Sequence, residues 1–220
     1  MSTPGFWQYA LTVLLSYLLG SFNFAIIISK GLKHDDVRNY GSGNAGITNY
    51  ARTFGGKSTI LVALGDMGKC FLAVLVSKWL VGDLAKFIAG LCVMLGHAYP
   101  LYFGFRGGKG VLTTGALILA FDLRMAAIGL SLFFLIAIAT RYVSLASLIA
   151  VWSELPMVWY YYRDAPHAWW CILIYGVIAA LITFFHRENI KRLLNGTESK
   201  FKFKRKKPAA DPPDGETPDK

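Results

Sequence analysis

Three short polar segments hold the residue types in this chain that are best suited to binding and catalysis. The first, residues 41–52, combines glycines with hydroxyl and amide side chains and includes a single cation. Its candidate site residues are Ser42, Gly43, Asn44, Thr48 and Arg52. Glycine lets a ligand approach backbone amides closely, and the planar guanidinium of arginine matches a phosphate. We interpret this segment as an anion site; a flexible Gly/Asn turn is the alternative.

The second segment, residues 104–110, is rich in glycine and leads directly into an apolar helix. Its candidate residues are Gly107, Gly108, Lys109 and Gly110. Unpaired amides and the positive end of the helix dipole converge at such a start, which predicts a phosphate site. The segment is not a nucleotide-binding P-loop, because Phe103 stands where that motif needs glycine and Gly110 where it needs Ser or Thr. A hairpin turn is the alternative.

The third segment, residues 186–198, follows the last apolar stretch. On a helix His186 and Asn189 share one face, whereas Glu188 and Arg192 are spaced for an ion pair. The first pair is therefore the candidate for the site, and a plain basic helix end is the alternative. Ser144 adds a further candidate near residues 141–144, where it also fits a helix N-cap.

Other polar residues lie within or next to apolar stretches. Asp66 and Lys69 are three residues apart on a helix, so each can neutralise the other inside a membrane. Glu154 is an acid in an apolar stretch for which the sequence offers no partner. His97 is equally compatible with a structural hydrogen bond and with a ligand.

The amino-acid composition indicates what kind of protein positions these three segments. The chain has 220 residues, of which 55% are hydrophobic and 16% charged, whereas about 25% of residues are charged in soluble domains. Such a chain is predicted to be an integral membrane protein. The cysteines are too few and scattered for a disulfide framework, and the formal charge of +10 does not indicate nucleic acid because most basic residues lie between apolar stretches.

A membrane-spanning helix needs about 20 mostly apolar residues. We predict an all-α protein, a compact bundle of seven transmembrane helices, some of them short. Five full spans with two partial ones, at 84–95 and 111–121, remain the alternative. The predicted segments are 6–29, 58–81, 84–95, 111–121, 125–140, 144–161 and 168–185.

The distribution of basic residues predicts the orientation. Seven crossings leave only Lys78, Lys86, Arg124 and Arg163 on one side, and most of the 23 basic residues on the other. The positive-inside rule makes the rich side cytoplasmic, so the N-terminus is outside and the C-terminus cytoplasmic. Residues 1–198 would form the membrane domain. Residues 199–220 would form a basic, then acidic and proline-rich cytoplasmic tail that is disordered.

The three segments, in this order, resemble the bacterial membrane glycerol-3-phosphate acyltransferase family that uses acyl phosphate as donor, the PlsY type. The resemblance covers the chain to about Glu198 and depends on Gly41-Ser42-Gly43-Asn44 through Arg52, on residues 104–110, and on the run His186-Arg187-Glu188-Asn189. Ile47 and Cys70 depart from the family pattern, in which alanine and glycine are usual.

The resemblance implies a fold, a reaction and a set of roles. It implies a seven-helix fold with a cytoplasm-facing site in the bacterial cell membrane, and transfer of a fatty acyl group from acyl phosphate to the sn-1 hydroxyl of glycerol 3-phosphate. Ser42 and Arg52 would be essential, Gly107, Gly108 and Lys109 would hold a phosphate, His186 and Asn189 would complete the site, and Ser144 would contribute.

The implied chemistry needs cations and oriented donors, and no metal site or cofactor is expected. Either His186 or the phosphate of the donor could accept the hydroxyl proton. We favour the phosphate, with His186 bonding a phosphate group, because no His in the sequence has an Asp five residues later. The sequence is compatible with a monomer and does not determine the oligomeric state. Membrane lipid is the expected environment. A transporter for a phosphorylated anion is the main competing class, but its polar groups would line both faces. A lipid phosphatase or alcohol phosphotransferase is disfavoured because the paired Asp or His patterns are missing from the sequence.

Overall fold

The computed structural model describes residues 4–201, and these residues are helical without a strand. The predicted all-helical architecture is confirmed. Two single turns of 3-10 helix, Val37–Asn39 and Leu101–Phe103, lie between longer helices. The α-helices are α1 Phe6–Ser21, α2 Phe24–Lys33, α3 Ile47–Thr53, α4 Ser58–Leu80, α5 Asp83–Ala98, α6 Val111–Phe121, α7 Leu123–Thr140, α8 Val143–Tyr162, α9 Ala168–Phe185 and α10 Arg187–Leu194.

Six helical segments of the described chain are long and apolar enough to cross a membrane. The predicted partial segment at 84–95 is longer than expected, because α5 runs over Asp83–Ala98 and belongs to one of the six. The other, α6, does have only 11 residues. At 1.5 Å per residue it is about 16 Å long, against an apolar bilayer core of about 30 Å. The six segments are Phe6–Lys33, Ser58–Leu80, Asp83–Phe103, Leu123–Thr140, Val143–Tyr162 and Ala168–Phe185.

The first predicted span is not one continuous helix. It breaks after Ser21, and the side chain of Asn23 caps the new helix α2 by accepting a hydrogen bond from the Ile26 amide at 3.2 Å. The Lys69 ammonium of α4 donates to the carbonyl oxygens of Gly20 and Phe22, at 3.0 and 2.8 Å. A buried cation thus satisfies carbonyls at the break, where helical partners are missing.

Helix α5 lies at the centre of the bundle and contacts α1, α4, α6 and α9. Its approach to α1 is close because both helices carry glycine at the crossing. A Cβ at Gly20 would collide with the backbone of Val93, and one at Gly96 would collide with the backbone of Tyr17. Small residues allow helices to pack backbone to backbone in membranes, where van der Waals contact drives association.

Short connections hold the remaining helices antiparallel. Gly82 lies between α4 and α5, Asp122 between α6 and α7, and residues 141–142 between α7 and α8. The Asp122 side chain also caps α7 by accepting a hydrogen bond from the Arg124 amide at 2.8 Å. Successive helices reverse direction, so alternate helix termini meet at one end of the bundle. This end contains the C-termini of α2, α5, α7 and α9 and the N-termini of α4, α6 and α8. The three polar segments of the sequence are connected to these helix ends.

Candidate active site

One cavity of about 400 Å³ lies at this end of the bundle and unites all three polar segments. Nine of the sequence-predicted site residues line it. They are Ser42, Asn44, Thr48, Arg52, Lys109, Gly110, Ser144, His186 and Asn189. Gly43 and Gly108 line a neighbouring cavity of about 420 Å³, which also borders Ser42, Asn44 and Lys109. Gly107 does not line either cavity.

Backbone hydrogen bonds hold the first segment against the second. The amide of Ala45 donates to the carbonyl of Gly107 at 3.2 Å, and the Asn23 side chain donates to the carbonyl of Ala45 at 3.1 Å. The guanidinium of Arg38 reaches across and donates to the carbonyls of Phe103 and Arg106, at 2.7 and 3.0 Å. These bonds place Ser42 and Lys109 on neighbouring walls of the cavity.

Asn49 organises the first segment. Its amide nitrogen donates to the carbonyls of Val37 and Tyr40, at 3.1 and 2.9 Å, and its oxygen accepts from the Ser42 amide at 3.1 Å. Gly41 is required beside it, because a Cβ there would collide with the Asn49 side chain and the residue adopts a φ of +58°. This arrangement places Ser42 at the cavity wall.

The glycines of the second segment serve close packing. The amide of Gly107 donates to the carbonyl of Ala98 at 3.0 Å and that of Gly108 to the carbonyl of His97 at 3.1 Å. A Cβ at Gly107 would collide with the His97 carbonyl, and one at Gly108 with the His97 ring. The expected phosphate-binding amides of these two glycines are therefore already engaged inside the protein. The first amides of α6 lack helical acceptors, and Val111 and Leu112 line the cavity.

Lys109 and Asn189 connect the second segment to the third. The Lys109 ammonium donates to the amide oxygen of Asn189. Burial of Lys109, reinforced by the positive charge of nearby Arg192, lowers its pKa below the usual range of lysine. The cation is thus held in a partly desolvated position, where its attraction for an anion is stronger than in water.

Glu198 links three parts of the site and was not among the sequence-predicted site residues. Its carboxylate accepts hydrogen bonds from Ser144, Asn189 and Arg192, each at 2.7 Å. Burial opposes its negative charge, but these three bonds outweigh burial and lower its pKa. No periodicity connects position 198 to position 144, so the sequence carries no local signal for this contact.

The ion pairs of the third segment differ from the expected arrangement. Arg192 pairs with Glu198 and not with Glu188, which forms an exposed pair with Lys191 at 3.3 Å. The prediction of a Glu188–Arg192 pair was wrong because the chain reverses after α10. The amides of Thr197 and Glu198 bond back to the Arg192 carbonyl, at 2.8 and 3.1 Å, and bring Glu198 to the guanidinium.

His186 lines the cavity, and a hydrogen bond from one of its ring nitrogens fixes the tautomer. Its Nδ1–H donates to the carbonyl of Ile182 at 2.8 Å. Burial lowers the pKa of the ring, and the nearby Lys109 acts in the same direction. A neutral histidine that donates through Nδ1 carries a lone pair on Nε2. His186 therefore offers an acceptor to a bound molecule near neutral pH.

The predicted pairing of Asp66 and Lys69 is confirmed, with a distance of 2.8 Å between the ammonium nitrogen and the carboxylate oxygen. The pair is buried on α4, and His97 on α5 adjoins it. Asp66 and His97 both line the cavity. Glu154 is fully buried on α8 beside Gly129, and its carboxyl group has no hydrogen-bond partner among residues 4–201.

The charges at the cavity wall favour an anion. Arg52, Lys109 and Arg192 contribute three positive charges, and Glu198 one negative charge, while Asp66 is neutralised by Lys69. Hydroxyl and amide side chains supply further donors. Among the described residues no cluster of His, Cys, Asp and Glu is arranged to hold a metal ion.

These features describe an all-helical membrane protein with a cationic, donor-rich cavity at one end of its bundle. The family model described as glycerol-3-phosphate acyltransferase matches residues 10–196. The chain belongs to this family, as its sequence motifs indicate.

Similar proteins support this assignment along most of the chain. A glycerol-3-phosphate acyltransferase of Bordetella pertussis (strain Tohama I) is 38% identical over 207 residues, covering 91% of this chain and 95% of the relative. Two crystal structures of PlsY (YgiH), an integral membrane glycerol 3-phosphate acyltransferase, share its fold. The glycerol 3-phosphate form has a TM-score of 0.80 at 39% identity, with 88% and 96% of the chains covered. The lysophosphatidic acid form has a TM-score of 0.78 at 36% identity, with 88% and 95% covered.

Proposed function

We propose that the protein transfers a fatty acyl group from acyl phosphate to the sn-1 hydroxyl of glycerol 3-phosphate. The products are lysophosphatidic acid, the first acylated intermediate of phospholipid synthesis, and inorganic phosphate. The observation that carries the proposal is a single cationic cavity formed by all three polar segments within a membrane bundle. Solved relatives bound to glycerol 3-phosphate and to lysophosphatidic acid support the acceptor and the product.

Two phosphate groups must lie side by side for this reaction. The two neighbouring cavities share Ser42, Asn44, Lys109 and Arg192, so one ammonium and one guanidinium border both. Charge-assisted hydrogen bonds from these groups are the strong contacts that phosphates make in proteins. We propose that Lys109 contacts both phosphates and thereby brings the hydroxyl of one substrate to the carbonyl of the other.

The reaction needs positioning and charge stabilisation more than it needs activation. Acyl phosphate is a mixed anhydride and is already reactive, so no metal or cofactor is invoked. The glycerol hydroxyl oxygen bonds to the carbonyl carbon, and the bond from this carbon to the phosphate oxygen breaks. Phosphate leaves with the electron pair and takes the hydroxyl proton. The phosphate can accept it because phosphomonoesters titrate near about pH 6.

His186 assists the acceptor in this scheme. The sequence-based expectation is that His186 bonds a phosphate, but the neutral ring carries its proton on Nδ1, so Nε2 has no hydrogen to donate to a phosphate oxygen and acts as an acceptor. We therefore propose that Nε2 accepts a hydrogen bond from the sn-2 hydroxyl of glycerol 3-phosphate and so orients the substrate, while the proton of the reacting sn-1 hydroxyl goes to the phosphate. His186→Ala is expected to keep the acid-side limb of the pH–rate profile, since the substrate phosphate sets it. Loss of that limb with unchanged substrate affinity would assign the proton to His186.

The orientation in the membrane follows from the same reasoning. We propose seven crossings with the N-terminus outside and the site facing the cytoplasm of a bacterial cell, in its cytoplasmic membrane. Glycerol 3-phosphate then enters from the water-soluble pool. The fatty chain stays in the bilayer, because moving it into water costs about 0.8 kcal/mol per CH₂. Residues 1–198 form the catalytic domain; the proposed tail beyond residue 201 lies outside the described residues.

The donor is tested with purified protein in lipid nanodiscs. Acyl phosphate with glycerol 3-phosphate is expected to yield phosphate and lysophosphatidic acid in equal amounts, whereas acyl-CoA is expected to yield neither. Turnover with acyl-CoA alone would overturn the donor assignment. Transport of glycerol 3-phosphate into vesicles without any acylation would favour the competing transporter class.

A further inference from the structure

His97 lines the membrane side of the cavity, and one of its ring nitrogens has no hydrogen-bond partner among the described residues. The residue is 3% exposed and lies in the last turn of α5. It lines the cavity, and within residues 4–201 Nε2 makes no hydrogen bond. Gly108 lies directly against Nε2, because a Cβ at that position would collide with it. The reaction scheme above does not use this nitrogen.

The neighbours of Nδ1 determine which ring nitrogen carries the proton. The Lys69 ammonium lies 3.1 Å from Nδ1 and has hydrogens but no lone pair. The carboxylate of Asp66 is farther away, at 3.5 Å. The three hydrogens of the ammonium have nearer acceptors in the carbonyls of Gly20 and Phe22 and in the carboxylate of Asp66, at 2.8 to 3.0 Å, so its contact with Nδ1 is electrostatic. A proton on Nδ1 would face this positive charge at a shorter distance than the carboxylate that could accept it. The contact therefore favours the lone pair on Nδ1 and, in the neutral ring, the proton on Nε2.

The position of His97 indicates which substrate atom it meets. Asp66, its neighbour, lies eight residues after the start of α4 at Ser58, about 12 Å into the bundle. Arg52 and Lys109 lie on or beside the connecting segments at the bundle end. An acyl phosphate whose chain remains in lipid places its carbonyl on the membrane side of its phosphate. A neutral donor on the membrane side of the cavity is suited to that carbonyl oxygen.

We propose that His97 Nε2–H donates to the acyl carbonyl oxygen, and that Lys69 is a positioning residue that holds His97 in this tautomer. The inference deepens the proposed function and rests on it. As the glycerol hydroxyl oxygen bonds to the carbonyl carbon, an electron pair of the C=O bond moves onto its oxygen, where the Nε2 hydrogen bond stabilises the negative charge. The pair returns when phosphate leaves. His97 keeps its proton throughout.

The tautomer is measured without turnover, by NMR of protein labelled with ¹⁵N in its four histidines, assigned with single histidine variants. The proposal predicts an unprotonated Nδ1 and a protonated Nε2 for His97, and the opposite state for His186. Lys69→Met is expected to reverse the His97 tautomer, because Asp66 then becomes the partner of Nδ1. A proton on Nδ1 of His97 in the unmodified protein would overturn the proposal.

Kinetics test the contact with substrate. His97→Leu is expected to lower kcat by about 10²- to 10³-fold, the usual loss for one donor to an oxyanion, with the KM for glycerol 3-phosphate unchanged. His97→Gln keeps an N–H donor near the Nε2 position and is expected to restore part of kcat. His167→Leu, at an exposed residue in the connection before α9, is the matched control.

The outcomes separate this inference from the proposed function. An unmodified protein that produces no phosphate from acyl phosphate contradicts the proposed function, while its ¹⁵N spectrum still reports the state of His97. An active protein in which His97→Leu keeps its kcat, or changes only its KM, contradicts the inference alone. If His97→Leu does not fold, the tautomer in the unmodified protein and the kcat of His97→Gln decide. Unimpaired turnover in His97→Gln agrees with the proposal when Nε2 carries the proton, and contradicts it when Nδ1 does.

Discussion

Among the described residues three cations border the cavity, and their different surroundings suggest different roles. Arg52 lies in the last turn of α3 and is exposed. Lys109 is half-buried and bonded to Asn189, and Arg192 is bound to Glu198. Arg52 is thus the cation most accessible to a phosphate that enters from water. Lys109 is half-buried and is suited to a phosphate that has already lost its water. Removing either Arg52 or Lys109 should lower activity severely, because a bound phosphate would then lack a cation to compensate its negative charge.

Arg52→Ala and Lys109→Ala are each expected to reduce turnover by at least about 10²-fold, the effect of losing a charge-stabilising group at a reacting centre. Neither side chain packs in the bundle core, so the folded protein should remain. Initial rates and thermal unfolding in detergent measure the two effects. Arg163→Ala and Lys78→Ala, at exposed positions on the opposite end, are the controls. Near-normal turnover in either site variant would show that the cavity is wrongly assigned there.

The pH dependence should reveal the buried state of Lys109. Because its pKa is lowered, the ammonium loses its proton at a lower pH than an ordinary lysine. Activity is therefore expected to fall on the alkaline side before free lysine would titrate. Lys109→Arg should move this limb to higher pH, since arginine stays protonated. A pH–rate profile checks the shift, with Lys78→Arg as control; a limb unmoved by Lys109→Arg would assign it to another group.

At the scale of elements, Glu198 fastens the chain after α10 to the start of α8. Its carboxylate accepts from Ser144, Asn189 and Arg192, so one side chain holds two helices and a connecting segment together. Glu198→Ala is expected to reduce the free energy of unfolding by about 1–3 kcal/mol, because donors lose their acceptor. Denaturant unfolding in detergent measures it.

The exposed Glu188 provides the matched control for Glu198. Within residues 4–201 its ion pair is with Lys191 at the surface, so Glu188→Ala should change stability little. Equal effects of the two substitutions would contradict the joining role assigned to Glu198.

Most helices were predictable from the sequence because apolar length alone marks a membrane span. The break after Ser21 was not, since the cation that satisfies its carbonyls, Lys69, is far away in the chain. The candidate side chains were predictable in kind, because cations and small polar groups are rare in apolar sequences. The packing role of Gly107 and Gly108 was not, because only the folded chain brings His97 against them.

At the scale of the whole molecule, the polar connections gather at one end of the bundle and few basic residues lie at the other. The three native cysteines, Cys70, Cys92 and Cys171, are buried and should not react with a membrane-impermeant thiol reagent. Lys57→Cys and Asp164→Cys would place exposed thiols in connections at opposite ends.

We expect Asp164→Cys to be labelled in intact cells, and Lys57→Cys only after the membrane is permeabilised. This result would agree with the positive-inside distribution of charge. The reverse pattern would turn the cavity to the exterior, away from cytoplasmic glycerol 3-phosphate.

The central claim is that the two neighbouring cavities, which share Lys109, hold two phosphorylated substrates side by side. The most direct measurement is a crystal structure of the protein with glycerol 3-phosphate and a non-transferable acyl phosphonate bound together. The account predicts two phosphorus atoms at the joined cavities, both within hydrogen-bond reach of the Lys109 ammonium. A second anion bound outside these cavities, or bound only when the first is absent, would contradict it.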